Sequence, residues 1–270
     1  MCIVNIVKLK VQEITAAALC AALYAVAKAA TAFIPTPWGV GQFAPGVVVP
    51  VFFTILFGPL VGALGGGIGV FIGDLYLSTF GLTNPFLSLI AGVPANFVGF
   101  YLLGWIMYRW GSWRLFLWAS LLGLFVGNLI AATVVVFYIS TLLGAYWPLD
   151  VQLATTIGFT LFWITTMLPF VLAIVPALVK TVSKSRLSSL TTGSWLKWSV
   201  APSFTVMKDS IVVAAIFGVI TLILVLTPFG DLLFATVKVP LNTFLIKSLT
   251  AVTAITTLIF GPLIAVLTKP

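Results

Sequence analysis

Along this chain apolar residues come in long runs, most near the roughly 20 positions that a helix needs to cross a bilayer. The polar residues between them are few and clustered. The runs predict eight membrane helices. The first covers about residues 11–33, behind Lys8, Lys10 and Glu13. The second and third, about 46–57 and 60–77, are parted only by Gly58-Pro59 and must form an antiparallel hairpin. Five more follow at about 86–108, 115–143, 153–179, 209–229 and 243–267. The second span is short for a hydrocarbon core of about 30 Å and carries Pro50, so it is tilted or shielded by protein. In the third, Gly62, Gly65, Gly66, Gly69 and Gly73 strip one face of side chains, so a neighbouring helix can reach backbone contact. The Pro/Gly-rich loop before the hairpin, Pro35 to Gly46, carries Trp38 and Gln42 and reads as a mobile cover for a cavity.

Composition turns the pattern into a class. Hydrophobic residues make up 61% of the chain and charged ones 7%, with a mean hydropathy of +1.25. No soluble domain of this length has that surface. The fold class is all-α, a polytopic membrane helix bundle. With eight alternating spans, Lys8, Lys10, Arg109, Arg114, Lys180, Lys184, Arg186, Lys197 and Lys208 fall on one side. Asp74, Asp150, Asp231 and Lys238 fall on the other. The positive-inside rule then puts both termini in the cytoplasm of a cell whose plasma membrane holds the protein. The net charge of +8 is therefore read as topology, not as a nucleic-acid footprint. Residues 1–33 have a basic start and an apolar core, as a signal peptide does. The apolar stretch runs on to Phe33 without a polar cleavage region, so it is read as a retained first helix. Residues 182–206 are the only long polar segment, and Trp195, Lys197 and Trp198 suit a stretch lying at the membrane interface. Three regions follow: a six-helix core over 1–181, a linker over 182–206 and two further helices over 207–270.

Few side chains inside the spans carry chemistry. Lys28 lies about five residues below one end of the first span; it either snorkels to the headgroups or faces a cavity and pairs with an anionic group on a ligand. Asn96, Asn128 and Trp163 fall near mid-membrane on three successive helices. Buried amides need partners, so these helices face one another, either glued by the amides or binding a ligand through them. Tyr138, Tyr146, Trp147 and Asp150 lie above them, with Trp38 and Gln42 in the first loop. Aromatic planes and a few directed hydrogen bonds suit a flat heterocycle. Asn84 is first a turn residue before Pro85 and second a ligand candidate. Asp74 either caps loop polar groups or binds substrate. Ala17, Ala21, Ala25 and Ala29 recur every four residues and form one smooth ridge, for packing inside the bundle or against a partner. No Walker loop is present, so the chain does not itself hydrolyse ATP. With no histidine and two cysteines, Cys2 and Cys20, neither a transition-metal site nor a disulfide framework is expected.

Several stretches together resemble the substrate-binding S component of energy-coupling factor (ECF) vitamin transporters. They are the alanine-ribbed AAALCAALYAVAKAA, the loop IPTPWG, the hairpin FGPLVGALGGGIGVFIGDL and NPFLSLIAGVPANFVG, and the likeness spans roughly residues 10–181. The resemblance implies a six-helix protein that captures a vitamin or related micronutrient, riboflavin-like among the candidates, from outside. It implies docking on a membrane coupling subunit (the T component) driven by two cytoplasmic ATPases, with no cofactor of its own. An AxxxA surface on the first helix meets that subunit in the family, and Ala17, Ala21 and Ala25 carry the match. Substrate binding then falls to Lys28, Trp38, Gln42, Asn84, Asn96, Asn128 and Trp163. The last two spans depart from the six-helix pattern. The alternatives are a self-sufficient secondary carrier, which would need an inverted repeat and intramembrane acids, and a membrane enzyme of lipid or isoprenoid metabolism. Such an enzyme would need metal-binding acids or a nucleophile with its base, and the chain has neither pattern.

Overall fold

The computed structural model describes residues 10–200, 202–233 and 241–268. Lys8, Lys238 and Cys2 lie outside them. Helix α1 spans Val11–Thr31. α2 is a short apolar helix, Pro45–Phe57, and α3 is Pro59–Ser78. α4 (Pro85–Trp110), α5 (Trp113–Leu142) and α6 (Leu149–Ser183) complete a six-helix core. After a linker come α7 (Ser203–Leu226), the short α8 (Pro228–Leu233) and α9 (Leu241–Leu267). Among the described residues seven helices are long and apolar enough to cross a membrane, and α2 is the short eighth run. The fold is an all-α polytopic bundle, as the apolar runs dictate.

Side-chain size decides the packing. α1 lies on α3 because the glycine face of α3 admits it. A Cβ on Gly69 would stand 2.7 Å from the carbonyl oxygen of Ala21, and one on Gly65 only 2.5 Å from Cys20 Cβ. Ala17, Ala21 and Ala25 are buried in this interface, which corrects the expectation that they form a partner surface. A ridge of small residues needs a smooth counterpart, and α3 of the same chain supplies it. The chain of packed neighbours continues through α4, α5 and α6, with α2 touching α1, α3, α4 and α6.

Thirteen residues of helix rise only about 20 Å, so α2 falls short of the bilayer, and most of its side chains are buried. Its free carbonyls are met by protein. Leu56 O accepts from the Thr192 amide at 3.2 Å and its hydroxyl at 3.1 Å, and Ile55 O accepts from the Tyr108 hydroxyl at 2.9 Å. The linker thus fills the depth that α2 leaves empty, as the lack of water in a membrane requires. Trp195 and Trp198 are buried rather than spread at an interface. Trp198 packs edge-on against Tyr108 and Trp113, with ring centroids at 5.2 and 5.4 Å. Within the protein Trp198 finds its partners in the ends of α4 and α5, and Trp195 donates to the Thr191 hydroxyl of the linker at 3.0 Å.

The last two long helices are bound to the core through a proline. Pro169 inside α6 has no N–H, which frees the carbonyl of Thr165 one turn earlier. The hydroxyl of Thr253 in α9 donates to that carbonyl at 3.3 Å. α7 packs on α9 in turn, and Arg114 at the start of α5 meets Asp209 of α7 at 3.5 Å. Contacts such as Gln12 to the Leu190 carbonyl and Arg114 to Asp209 gather the described cations Lys10, Arg109, Arg114, Lys184 and Lys208 at one end of the bundle, hereafter the basic end. The opposite end carries the α1–α2 loop and is called the loop end.

Candidate functional site

A cavity of about 440 Å³ opens inside the six-helix core, walled by α1, α3, α4, α5, α6 and the α1–α2 loop. It begins under that loop and runs to the middle of α4 and α5. At its inner end α4 and α5 touch backbone to backbone: a Cβ on Gly99 would lie 2.8 Å from Gly123 O, and one on Gly127 2.8 Å from Ala95 O. These glycines give the slot in front of them a smooth wall, and Phe100 and Trp163 line the same cavity.

The loop end of the cavity is polar. Lys28 in the last turn of α1 reaches Asp74 of α3, Nζ to Oδ1 3.0 Å. The Ser88 hydroxyl donates to Asp74 Oδ2 at 2.6 Å. Thr83 donates to the Asp74 backbone carbonyl at 2.5 Å. Lys28 therefore does not snorkel. It faces the cavity, but its partner there is a carboxylate of the protein. Asp74 holds charge against charge and does not merely cap a loop. The turn that presents Ser88 is a five-residue π-helical segment, Ser88–Gly92, a local widening often found where a helix serves a site.

Six of the seven predicted binding residues line the cavity: Lys28, Gln42, Asn84, Asn96, Asn128 and Trp163. Asn96 accepts from the Tyr24 hydroxyl at 3.0 Å and donates to Gly92 O at 2.8 Å. Asn128 has a weaker partner, its amide nitrogen 3.4 Å from the thioether of Met167. Asn84 caps α4, its side-chain oxygen taking the Phe86 amide at 2.9 Å, while its nitrogen donates to the Tyr138 hydroxyl at 3.1 Å. Trp163 lies beneath the loop: a Cβ on Gly41 would come within 2.7 Å of its ring, and φ is +79° there. Glycine is needed at that position for both reasons.

Trp38 is the exception. It is buried and packs on Phe159 with centroids 4.4 Å apart and ring planes tilted by 35°, and it is not among the residues lining the cavity. It pins the loop to α6. The loop itself is ordered by its own bonds, Thr36 N to Gly41 O at 3.0 Å and Phe43 N to Ile34 O at 2.8 Å. Gln42 ties it to the α3–α4 connection through Leu82 O at 2.9 Å. The side-chain oxygen of Gln42 is buried without a partner, an imbalance that a ligand donor would correct. Tyr146 and Asp150 are exposed and stay away from the cavity. Sequence reasoning missed Tyr24 and Ser88. For Tyr24 a signal exists: it lies one helical turn before Lys28, so both share a face. Nothing in the sequence singles out Ser88. Among the described residues no cluster of His, Cys, Asp or Glu could hold a metal ion.

Searches of curated proteins and of solved structures gave no match. The family model described as "ECF-type riboflavin transporter, S component" matches residues 8–179, the stretch that builds the cavity. The chain therefore belongs to this family of S components, the membrane-embedded substrate-binding subunits of ECF transporters.

Proposed function

We propose that the protein captures riboflavin, or a close flavin, in this cavity. The observation that carries the reading is the two-ended cavity itself. A smooth slot beside Phe100 and Trp163 suits a flat ring system, and a polar end with Gln42, Ser88 and Asn84 suits a hydroxylated tail. Its volume is within the roughly 300–1,000 Å³ usual for small-molecule sites. The family description supports the same substrate. Titrating riboflavin into the purified protein should quench flavin fluorescence in a saturable way, with Trp163 stacked near the ring. Absence of saturation up to about 1 mM, where binding is worth only ~4 kcal/mol, would refute the flavin reading.

Import needs a motor, and the family implies a T component with two ATPases. The positive-inside rule sets the basic end in the cytoplasm, where those ATPases work, and the loop end outside. Labelling of Ser189→Cys from outside by an impermeant thiol reagent would reverse this orientation. With Ala17, Ala21 and Ala25 buried, Ala18 and Ala22 are exposed on the half of α1 nearer the basic end, one helical turn apart. They leave a shallow strip on which a helix of the coupling subunit can lie closely. Ala18→Trp or Ala22→Trp should reduce co-purification with the coupling subunit and leave ligand affinity within about twofold, as for a surface change. Unchanged assembly in both variants would move the docking surface elsewhere.

A further inference from the structure

The Lys28–Asp74 pair has a consequence for which ligands the cavity accepts, and it rests on the flavin reading above. These two are the only charged side chains among the described residues lining the cavity. They lie 3.0 Å apart and are largely buried. Charges in such a place interact strongly, because little water screens them. The cavity is therefore polar but carries no net charge. The lysine is committed to Asp74, and Asp74 also holds the Ser88 hydroxyl at 2.6 Å.

We infer that this ion pair sets the charge selectivity of the site: it admits an uncharged, hydroxylated heterocycle and rejects the phosphate monoester of the same molecule. The ring then lies against the smooth wall formed by α4 and α5, where no charged side chain lines the cavity, and the tail at the end where the pair sits. A phosphate on that tail meets the Asp74 carboxylate as a like charge. It finds the ammonium of Lys28 already engaged. Like-charge contact in a desolvated site is a strong means of rejection, and it leaves the neutral ligand unaffected. Selectivity here comes from an occupied cation, not from the lack of one.

The test uses riboflavin and riboflavin 5′-phosphate as probes on the purified full-length protein. Wild type should bind the phosphate ester at least about tenfold more weakly than riboflavin, a difference that like-charge contact readily supplies. Asp74→Asn frees the lysine and should bring the two affinities together or invert their order. Lys28→Met leaves the carboxylate alone and should widen the gap. The opposite signs separate charge from mere damage, because a loosened cavity would weaken both ligands in both variants. Wild type that binds both ligands equally overturns the inference. So does either variant that retains riboflavin and leaves the ratio unchanged or moves it the wrong way. If one variant no longer holds riboflavin, the other still gives a signed result. Wild type that binds neither ligand overturns the flavin reading itself, and that outcome is distinct from riboflavin binding without discrimination.

Discussion

Gly69→Leu is expected to abolish ligand binding and to lower the thermal midpoint of the purified protein, whereas Gly218→Leu should do neither. Both glycines sit in long apolar helices, and their surroundings decide the difference. A Cβ on Gly69 would stand 2.7 Å from Ala21 O and 3.0 Å from Ala21 Cα, both backbone atoms, which cannot rotate away. A Cβ on Gly218 meets nothing within 4 Å. Overpacking a core costs about 1–3 kcal/mol where side chains can shift, and here the whole of α1 must shift. Lipid tails are as apolar as leucine, so no hydrophobic force holds α1 to α3; close packing does. Once α1 moves away it takes Lys28 from Asp74 and Tyr24 from Asn96, and one wall of the cavity goes with it. Scanning fluorimetry and a riboflavin titration on both variants decide the point. A Gly69→Leu protein with wild-type affinity would show that the α1–α3 contact is not needed to shape the site.

That interface also marks what a linear sequence can convey. The helices themselves were legible, because hydropathy is a property of consecutive residues: the run at about 60–77 became Pro59–Ser78, and the one at about 209–229 became Ser203–Leu226. The glycine face of α3 was legible too, since small residues at helical spacing mean close approach. What approaches was not. A ridge such as Ala17, Ala21 and Ala25 reads the same whether its counterpart lies in the same chain or in another subunit. Only the register between two helices tells them apart, and here it turned Ala18 and Ala22 outward instead. Trp38 illustrates the same limit in a loop. Its place beside Gln42 predicts nearness to the cavity, but the packing on Phe159 fixes which way the ring turns. For Lys28, burial and the pairing with Asp74 depend on two helices 46 positions apart in sequence. The isolated residue could only offer the choice between headgroup and ligand.

The two intramembrane asparagines should separate when replaced. Asn128→Ala is expected to weaken riboflavin binding markedly and leave stability nearly unchanged, while Asn96→Ala should lower both. Asn96 is a structural hub as well as a lining residue, for it accepts from the Tyr24 hydroxyl at 3.0 Å and donates to Gly92 O at 2.8 Å. Its loss strands the hydroxyl of a nearly fully buried tyrosine, and an unsatisfied buried group costs about 1–3 kcal/mol. Asn128 lies halfway along α5 and gives up only a 3.4 Å contact to the Met167 thioether, a weak acceptor. Little of its hydrogen-bonding capacity is used by the protein, so most of it faces the slot where the ring is placed. A ligand that loses a buried partner there should lose about 1–3 kcal/mol, roughly a 5- to 150-fold rise in Kd. Calorimetric titration with riboflavin and thermal melts of the ligand-free proteins measure the two effects independently. Equal loss of stability in both variants would make Asn128 a helix-packing residue. Unchanged affinity in Asn128→Ala would move the ring out of the inner slot and toward the loop.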